Sequence, residues 1–102
     1  VVTRGEQGIR LATPADRVDV PAPTVDVVDT VGAGDACMAA LLAALLMRGQ
    51  LDASSLRSLV PRDLRQIGAV AATVAALTCS RRGADPPWLS DLDSDAFGVP
   101  VR

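Results

Sequence analysis

The sequence predicts an α/β domain. Three observations carry that prediction. Short β-branched segments broken by turn residues fill positions 1–28, alanine- and leucine-rich segments of helical length dominate positions 33–77, and a glycine-rich turn, Asp29-Thr30-Val31-Gly32-Ala33-Gly34-Asp35-Ala36, joins the two regimes.

Each element has its own local signal. Val1-Val2-Thr3-Arg4 is a β-type opening, Gly5-Glu6-Gln7-Gly8 a turn and Ile9-Arg10-Leu11-Ala12 a second strand, together a hairpin. Thr13-Pro14-Ala15-Asp16 turns the chain again, and Arg17-Val18-Asp19-Val20 alternates as a half-buried strand does. Pro21-Ala22-Pro23 interrupts, and Val25-Asp26-Val27-Val28 resumes extended structure up to the glycine-rich turn. A helix is expected over 33–48, ended by Gly49. Its sides are all apolar (Met38, Leu41, Leu42, Leu45, Leu46 and Met47 with alanines between), which predicts burial on every side, between a sheet and other helices. Residues 50–60 read as a linker holding a short helix that starts at Asp52-Ala53-Ser54. Pro61 suits the first turn of a third helix running to Leu77, wet at Arg62, Asp63 and Arg65 and buried from Ala69 onward. Residues 80–87 form a loop by composition, 88–96 hold one or two further helical turns, and 97–102 carry no assignment.

Composition excludes several classes of function. The 102 residues suffice for one small domain, and a hydrophobic content of 49% predicts a core rather than disorder. The formal net charge is −2, and all ten basic residues are arginines scattered along the chain. A nucleic-acid surface or a polybasic membrane patch needs clustered basic charge, so neither partner is expected. The absence of histidine removes His-based catalysis and His metal ligation. Cys37 and Cys79 are far apart in apolar surroundings and read as small core residues in a reducing cytoplasm, not as a disulfide. The longest apolar run, 36–47, falls short of the roughly 20 residues a bilayer span requires, and there is no signal-peptide pattern. The opening Val-Val, without an initiator Met, reads as part of a longer protein.

The glycine-rich turn is where chemistry is expected. The first N–H groups of a helix lack internal partners, and the helix dipole adds partial positive charge at that end. Glycines let the backbone curl and let a phosphate approach closely. Gly32, Ala33, Gly34 and the N–H of Asp35 are therefore candidates for an anion cradle. Asp35 has two readings: a favourable charge at a helix start, or a base that accepts the proton of an incoming hydroxyl. The turn is not a Walker loop, since no GK[ST] follows, nor a GxGxxG dinucleotide fingerprint, since no third glycine is in phase. Trp88 reads as a packing or surface residue, and Arg81 and Arg82 either reach phosphates or form a solvated pair.

Val28-Asp29-Thr30-Val31-Gly32-Ala33-Gly34-Asp35-Ala36 closely resembles the C-terminal signature of ribokinase-like (PfkB-type) carbohydrate kinases. Three further stretches match in order. Val2-Thr3-Arg4-Gly5-Glu6-Gln7-Gly8 resembles that family's strand-turn over the nucleotide phosphates, and Val20-Pro21-Ala22-Pro23 resembles the link before the signature. Cys79-Ser80-Arg81-Arg82-Gly83-Ala84-Asp85-Pro86-Pro87 resembles the closing loop of the nucleotide site, in a form most like the fructokinase branch. The resemblance covers residues 1–92.

It implies a three-layer αβα (Rossmann-like) sheet domain, of which residues 1–102 would be the C-terminal portion. The implied activity is transfer of the ATP γ-phosphate to a sugar hydroxyl, with fructose the favoured acceptor and other sugar or nucleoside kinases of the family as alternatives. Asp35 matches the catalytic base, Gly32, Ala33 and Gly34 the anion hole, and Thr3, Gly5, Gly83 and Ala84 the nucleotide contacts. Mg-ATP is the implied cosubstrate. A monovalent cation such as K⁺ is implied at the carbonyls of Asp29, Val31 and Gly83, and the complete enzyme would be a cytoplasmic homodimer candidate. Two positions depart from the pattern: Arg4 stands where the family has an apolar residue, and Pro87 where ribokinases carry a hydroxyl that helps hold the cation. The family's lid, most of its sugar pocket and its Mg²⁺-placing acidic motif lie in an N-terminal portion that these residues do not contain. A non-catalytic remnant that binds nucleotide or a partner chain is therefore the second reading.

Overall fold

A computed structural model of the chain describes residues 1–92. Three short strands come first: β1 (Val2–Thr3), β2 (Ile9–Ala12) and β3 (Arg17–Val20). They form an antiparallel sheet in the order β1-β2-β3, with Ile9 opposite Val20 and Leu11 opposite Val18. The alternation expected for 17–20 is present: Val18 and Val20 are buried while Arg17 and Asp19 face solvent. On that solvent face Arg10 grips its cross-strand neighbour Asp19 with two hydrogen bonds, Nε to Oδ1 at 2.6 Å and Nη2 to Oδ2 at 3.1 Å. Gly8 makes the β1–β2 turn possible. Its φ is +90°, and a Cβ there would lie 2.0 Å from the Val20 carbonyl oxygen, so no other residue fits without moving the backbone.

Three helices follow: α1 (Ala33–Met47), α2 (Ala53–Arg57) and α3 (Pro61–Cys79). Their ends obey local chemistry. Gly49, at φ +67°, closes α1, with its N–H donating to the Leu46 carbonyl and the Gln50 N–H to the Leu45 carbonyl. Asp52 caps α2 through Oδ2, which accepts the Ser55 N–H at 3.0 Å. Pro61 is the first residue of α3, and Asp63 accepts the Val60 N–H at 3.3 Å.

Helix α3 is the organising element. One side lies on β2 and β3 and another packs along α1. Gly68 brings it close to the sheet, because a Cβ there would meet Leu11 Cδ1 at 2.7 Å and Val20 Cγ2 at 2.8 Å. Ile9, Leu11, Val18, Val20, Ile67 and Val70 fill that interface, each large aliphatic side chain contributing about 1.5–3 kcal/mol on burial. Arg48 ties the end of α1 to the start of α3, donating to Asp63 Oδ1 at 2.6 Å and Gln66 Oε1 at 3.0 Å.

Two expectations are corrected. Helix α1 is not buried on every side: it packs on α3 through Ala36, Cys37, Ala40, Leu41 and Ala44, while Met38, Leu42 and Leu46 are 51%, 50% and 66% exposed. A helix apolar all round carries no amphipathic signal, so the sequence could not say which side meets a neighbour. Residues 25–28 run on without joining the sheet, and Val27 and Val28 are exposed. Their neighbouring prolines, Pro21 and Pro23, remove ladder donors just upstream. Smaller differences are that α3 runs two residues beyond Leu77 and that residues 88–92 hold one 3-10 turn, Leu89–Asp91. The rest of the turns expected over 88–96, and the tail, lie outside the described residues.

Candidate active site

The glycine-rich turn does open α1. Gly32 takes a left-handed conformation, φ +79° and ψ −2°, immediately before the first helical residue. The Ala33 N–H bends back to the Thr30 carbonyl at 3.3 Å, whereas the N–H groups of Gly32, Gly34 and Asp35 meet no acceptor among the described residues. Three free donors at a helix N-terminus are what a phosphate oxygen requires. A Cβ at Gly34 would meet nothing within 4 Å, so the space beside those donors is open.

Asp35 sits in the same turn, exposed, with no ion pair or side-chain hydrogen bond to a described residue. It borders a cavity of about 540 Å³ that Gly32, Ala36, Ala39, Ala40, Ala43, Val74 and Ala84 line, with Pro86, Pro87, Leu89 and Leu92 on the far wall. Small residues along one side of α1 leave a shallow apolar trough that begins at Asp35. Such a trough suits the flat, weakly polar part of a ligand whose charged end lies on the helix start. The size is in the range of small-molecule pockets.

The Asp29 carboxylate holds the turn in place. Its Oδ1 accepts the Val31 N–H at 3.0 Å, and its Oδ2 accepts the Gly83 N–H at 3.0 Å from 54 residues away. Those two bonds, Val31 first, hold its pKa below the ordinary carboxylate value. The Cys79 carbonyl accepts two further N–H groups, from Val28 at 2.8 Å and Asp29 at 3.0 Å. Gly32 then lies against the second loop: a Cβ on it would be 2.8 Å from Ala84 Cβ.

The predicted residues therefore divide. Gly32, Ala33, Gly34, Asp35, Gly83 and Ala84 come together. Thr3 and Gly5 do not border the cavity: Thr3 pairs with Ile9 in the hairpin, and Gly5 begins an exposed 3-10 turn. Of the three carbonyls expected at a monovalent cation, those of Asp29 and Val31 meet no N–H donor among the described residues, while that of Gly83 accepts the Asp85 N–H at 3.0 Å. The Asp29 and Val31 carbonyls are thus left open, and that of Gly83 is engaged. Among the described residues no cluster of three or more acidic or thiol side chains converges, so these residues do not build a Mg²⁺ site by themselves. Arg81 is held by Asp91 Oδ2 at 3.2 Å and the Pro86 carbonyl at 3.4 Å, which fastens the cavity's far wall, while Arg82 and Trp88 face solvent. Sequence reasoning missed the alanine trough and the Asp29 side chain. The spacing of Ala36, Ala39, Ala40 and Ala43 was the available signal for the first.

An α/β unit with a free-donor helix start, a neighbouring carboxylate and an apolar trough offers the groups that a phosphate ester with an apolar part needs. Residues 1–91 match the pfkB family of carbohydrate kinases, and the chain belongs to that family. It is 43% identical over 83 residues to PH1459 of Pyrococcus horikoshii, named a sugar kinase, covering 81% of this chain and 23% of that protein. It is 42% identical over 94 residues to a fructokinase of Klebsiella pneumoniae, covering 90% of this chain and 28% of the relative. The crystal structure of PH1459 in complex with ATP, described as an uncharacterised sugar kinase, superposes with a TM-score of 0.69 at 41% identity, covering 88% of this chain and 26% of that one. The fold is thus a portion of a sugar-kinase α/β fold. The chain spans about a quarter of the length of these relatives. Among the described residues, no helix is long and apolar enough to cross a membrane.

Proposed function

We propose that the protein carrying this chain is an ATP-dependent sugar kinase, with fructose its preferred acceptor. The observation that supports this most is the juxtaposition of the Asp35 carboxylate with the free N–H groups of Gly32, Gly34 and Asp35 at the mouth of an apolar cavity. In that arrangement Asp35 takes the proton of the sugar hydroxyl. The hydroxyl oxygen forms a bond to the γ-phosphorus, the bond from that phosphorus to the β–γ bridging oxygen breaks, and ADP leaves with the electron pair. The free N–H groups stabilise charge on the transferring phosphoryl oxygens, an electrostatic contribution preorganised by the helix start. Ala33, whose N–H is turned to the Thr30 carbonyl, is assigned to the anion hole on the family pattern alone, and Gly83 and Ala84 border the nucleotide from the second loop. Thr3 and Gly5 are assigned to the nucleotide on the family pattern alone. Mg²⁺, when bound with ATP, supplies charge neutralisation on the phosphates, and the Asp29 and Val31 carbonyls would hold a monovalent cation.

The fructose preference is supported by the fructokinase relatives and by Pro87, which resembles the proline that fructokinase-like members often carry there. The cytoplasm is the proposed setting, in keeping with two free thiols. The activity belongs to the whole protein. A chain spanning a quarter of its relatives, with Met38, Leu42, Leu46, Val27 and Val28 exposed, supplies one side of the site.

The test is a sugar panel with ATP on the complete protein and on its Asp35→Asn variant. Fructose should be phosphorylated fastest, and Asp35→Asn should lower kcat by about 10²–10⁴-fold while ATP binding persists. Turnover of Asp35→Asn near that of the wild type would remove Asp35 as the base.

A further inference from the structure

We propose that Asp29 is a positioning residue of this site, its carboxylate coupling the cradle at 32–34 to the loop at 83–84 so that the two sides of the phosphate-binding surface form as one unit. The inference rests on the kinase reading above for what the unit binds.

A local turn would use only one carboxylate oxygen. Here Oδ1 serves the Val31 N–H two residues on, and Oδ2 reaches across to the Gly83 N–H. The second bond is the only side-chain hydrogen bond among the described residues that joins the glycine-rich turn to the closing loop. Gly83 has φ +73°, yet a Cβ there would meet nothing within 4 Å. Its glycine is therefore explained by the left-handed conformation that presents its N–H to Asp29, not by lack of room. Two apposed contacts flank the bond: the Cys79 carbonyl takes the Val28 and Asp29 N–H groups, and Gly32 abuts Ala84.

The experiment compares the complete wild-type protein with Asp29→Asn and Asp29→Ala. Amide hydrogen exchange is followed at Val31 and Gly83, and KM for ATP, KM for the sugar and kcat are measured. Asn keeps one acceptor oxygen in nearly the same shape. It should preserve protection at Val31, speed exchange at Gly83 by about tenfold or more and raise the KM for ATP by a similar factor. The KM for the sugar should change by less than about twofold. Ala should lose protection at both amides. If Ala fails to fold, the isosteric Asn variant carries the test. Unchanged Gly83 exchange, or an unchanged KM for ATP in an active enzyme, overturns the positioning role and leaves the kinase reading standing. A wild-type protein that neither binds ATP nor phosphorylates any sugar overturns the kinase reading instead. The Gly83 exchange data then decide the coupling by themselves.

Discussion

Gly32→Ala probes the contact on which the site's geometry depends. Two costs add. The backbone at Gly32 is left-handed, φ +79°, which disfavours an L side chain by about 1–2 kcal/mol. The new methyl would also lie 2.8 Å from Ala84 Cβ and 3.2 Å from Ala84 Cα. Carbon atoms in ordinary contact sit about 3.5–4.0 Å apart, and overpacking of that kind costs about 1–3 kcal/mol. The sum is about 2–5 kcal/mol, read as a loss in urea-unfolding free energy and a lowered Tm. The second half of the experiment is Ala84→Gly. In the double variant the 2.8 Å overlap is gone, while the 3.2 Å approach to the residue-84 Cα and the backbone cost remain, so only part of the overpacking cost, about 1–2 kcal/mol, should return as a coupling energy between the two positions. ATP affinity should follow the same pattern, falling in Gly32→Ala and partly recovering in the pair. Additive free energies, within about 0.5 kcal/mol, would show that the loop simply moves aside. The reasoning that these segments are held in fixed contact would then be wrong.

Two further outcomes follow from other parts of the molecule. Arg48 and Asp63 are only 11% and 13% exposed, so Arg48→Ala should cost about 2 kcal/mol in urea unfolding, and Arg48→Met should recover just the part due to its aliphatic stem; a loss below about 0.5 kcal/mol for Ala would mean the α1–α3 tie is unimportant. Asp52 has its pKa lowered first by the Ser55 hydroxyl and then by the Ser55 N–H. A lowered folded-state value means that its contribution is fully present above the ordinary carboxylate pKa of about 3.9 and is lost as pH falls through the folded value. A carboxyl-carbon NMR titration should find Asp52 below the ordinary value, and Ser55→Ala should bring it back up. An Asp52 that titrates normally in both proteins would dismiss the cap.

What was legible in the sequence was local. The hairpin at Gly5 to Gly8, the alternation at 17–20, the Asp52 cap, Pro61 at a helix start and Gly49 at a helix end each depend on residues within about four positions of one another, and each stands where it was expected. The same is true of the signature at 28–36, which names the family through the order of its residues and places free N–H groups beside Asp35. Tertiary structure decided the rest. It chose the alanine side of α1 for the contact with α3 and left Met38, Leu42 and Leu46 outward, a choice that uniform hydrophobicity could not make. It left 25–28 out of the sheet, and it separated Thr3 and Gly5 from the cavity. Above all it set Asp29 against Gly83 and Gly32 against Ala84. Those partners are more than fifty residues apart, and nothing in either segment alone encodes the other's position. Their meeting depends on α3 packing along α1, which carries its C-terminal loop to the start of α1.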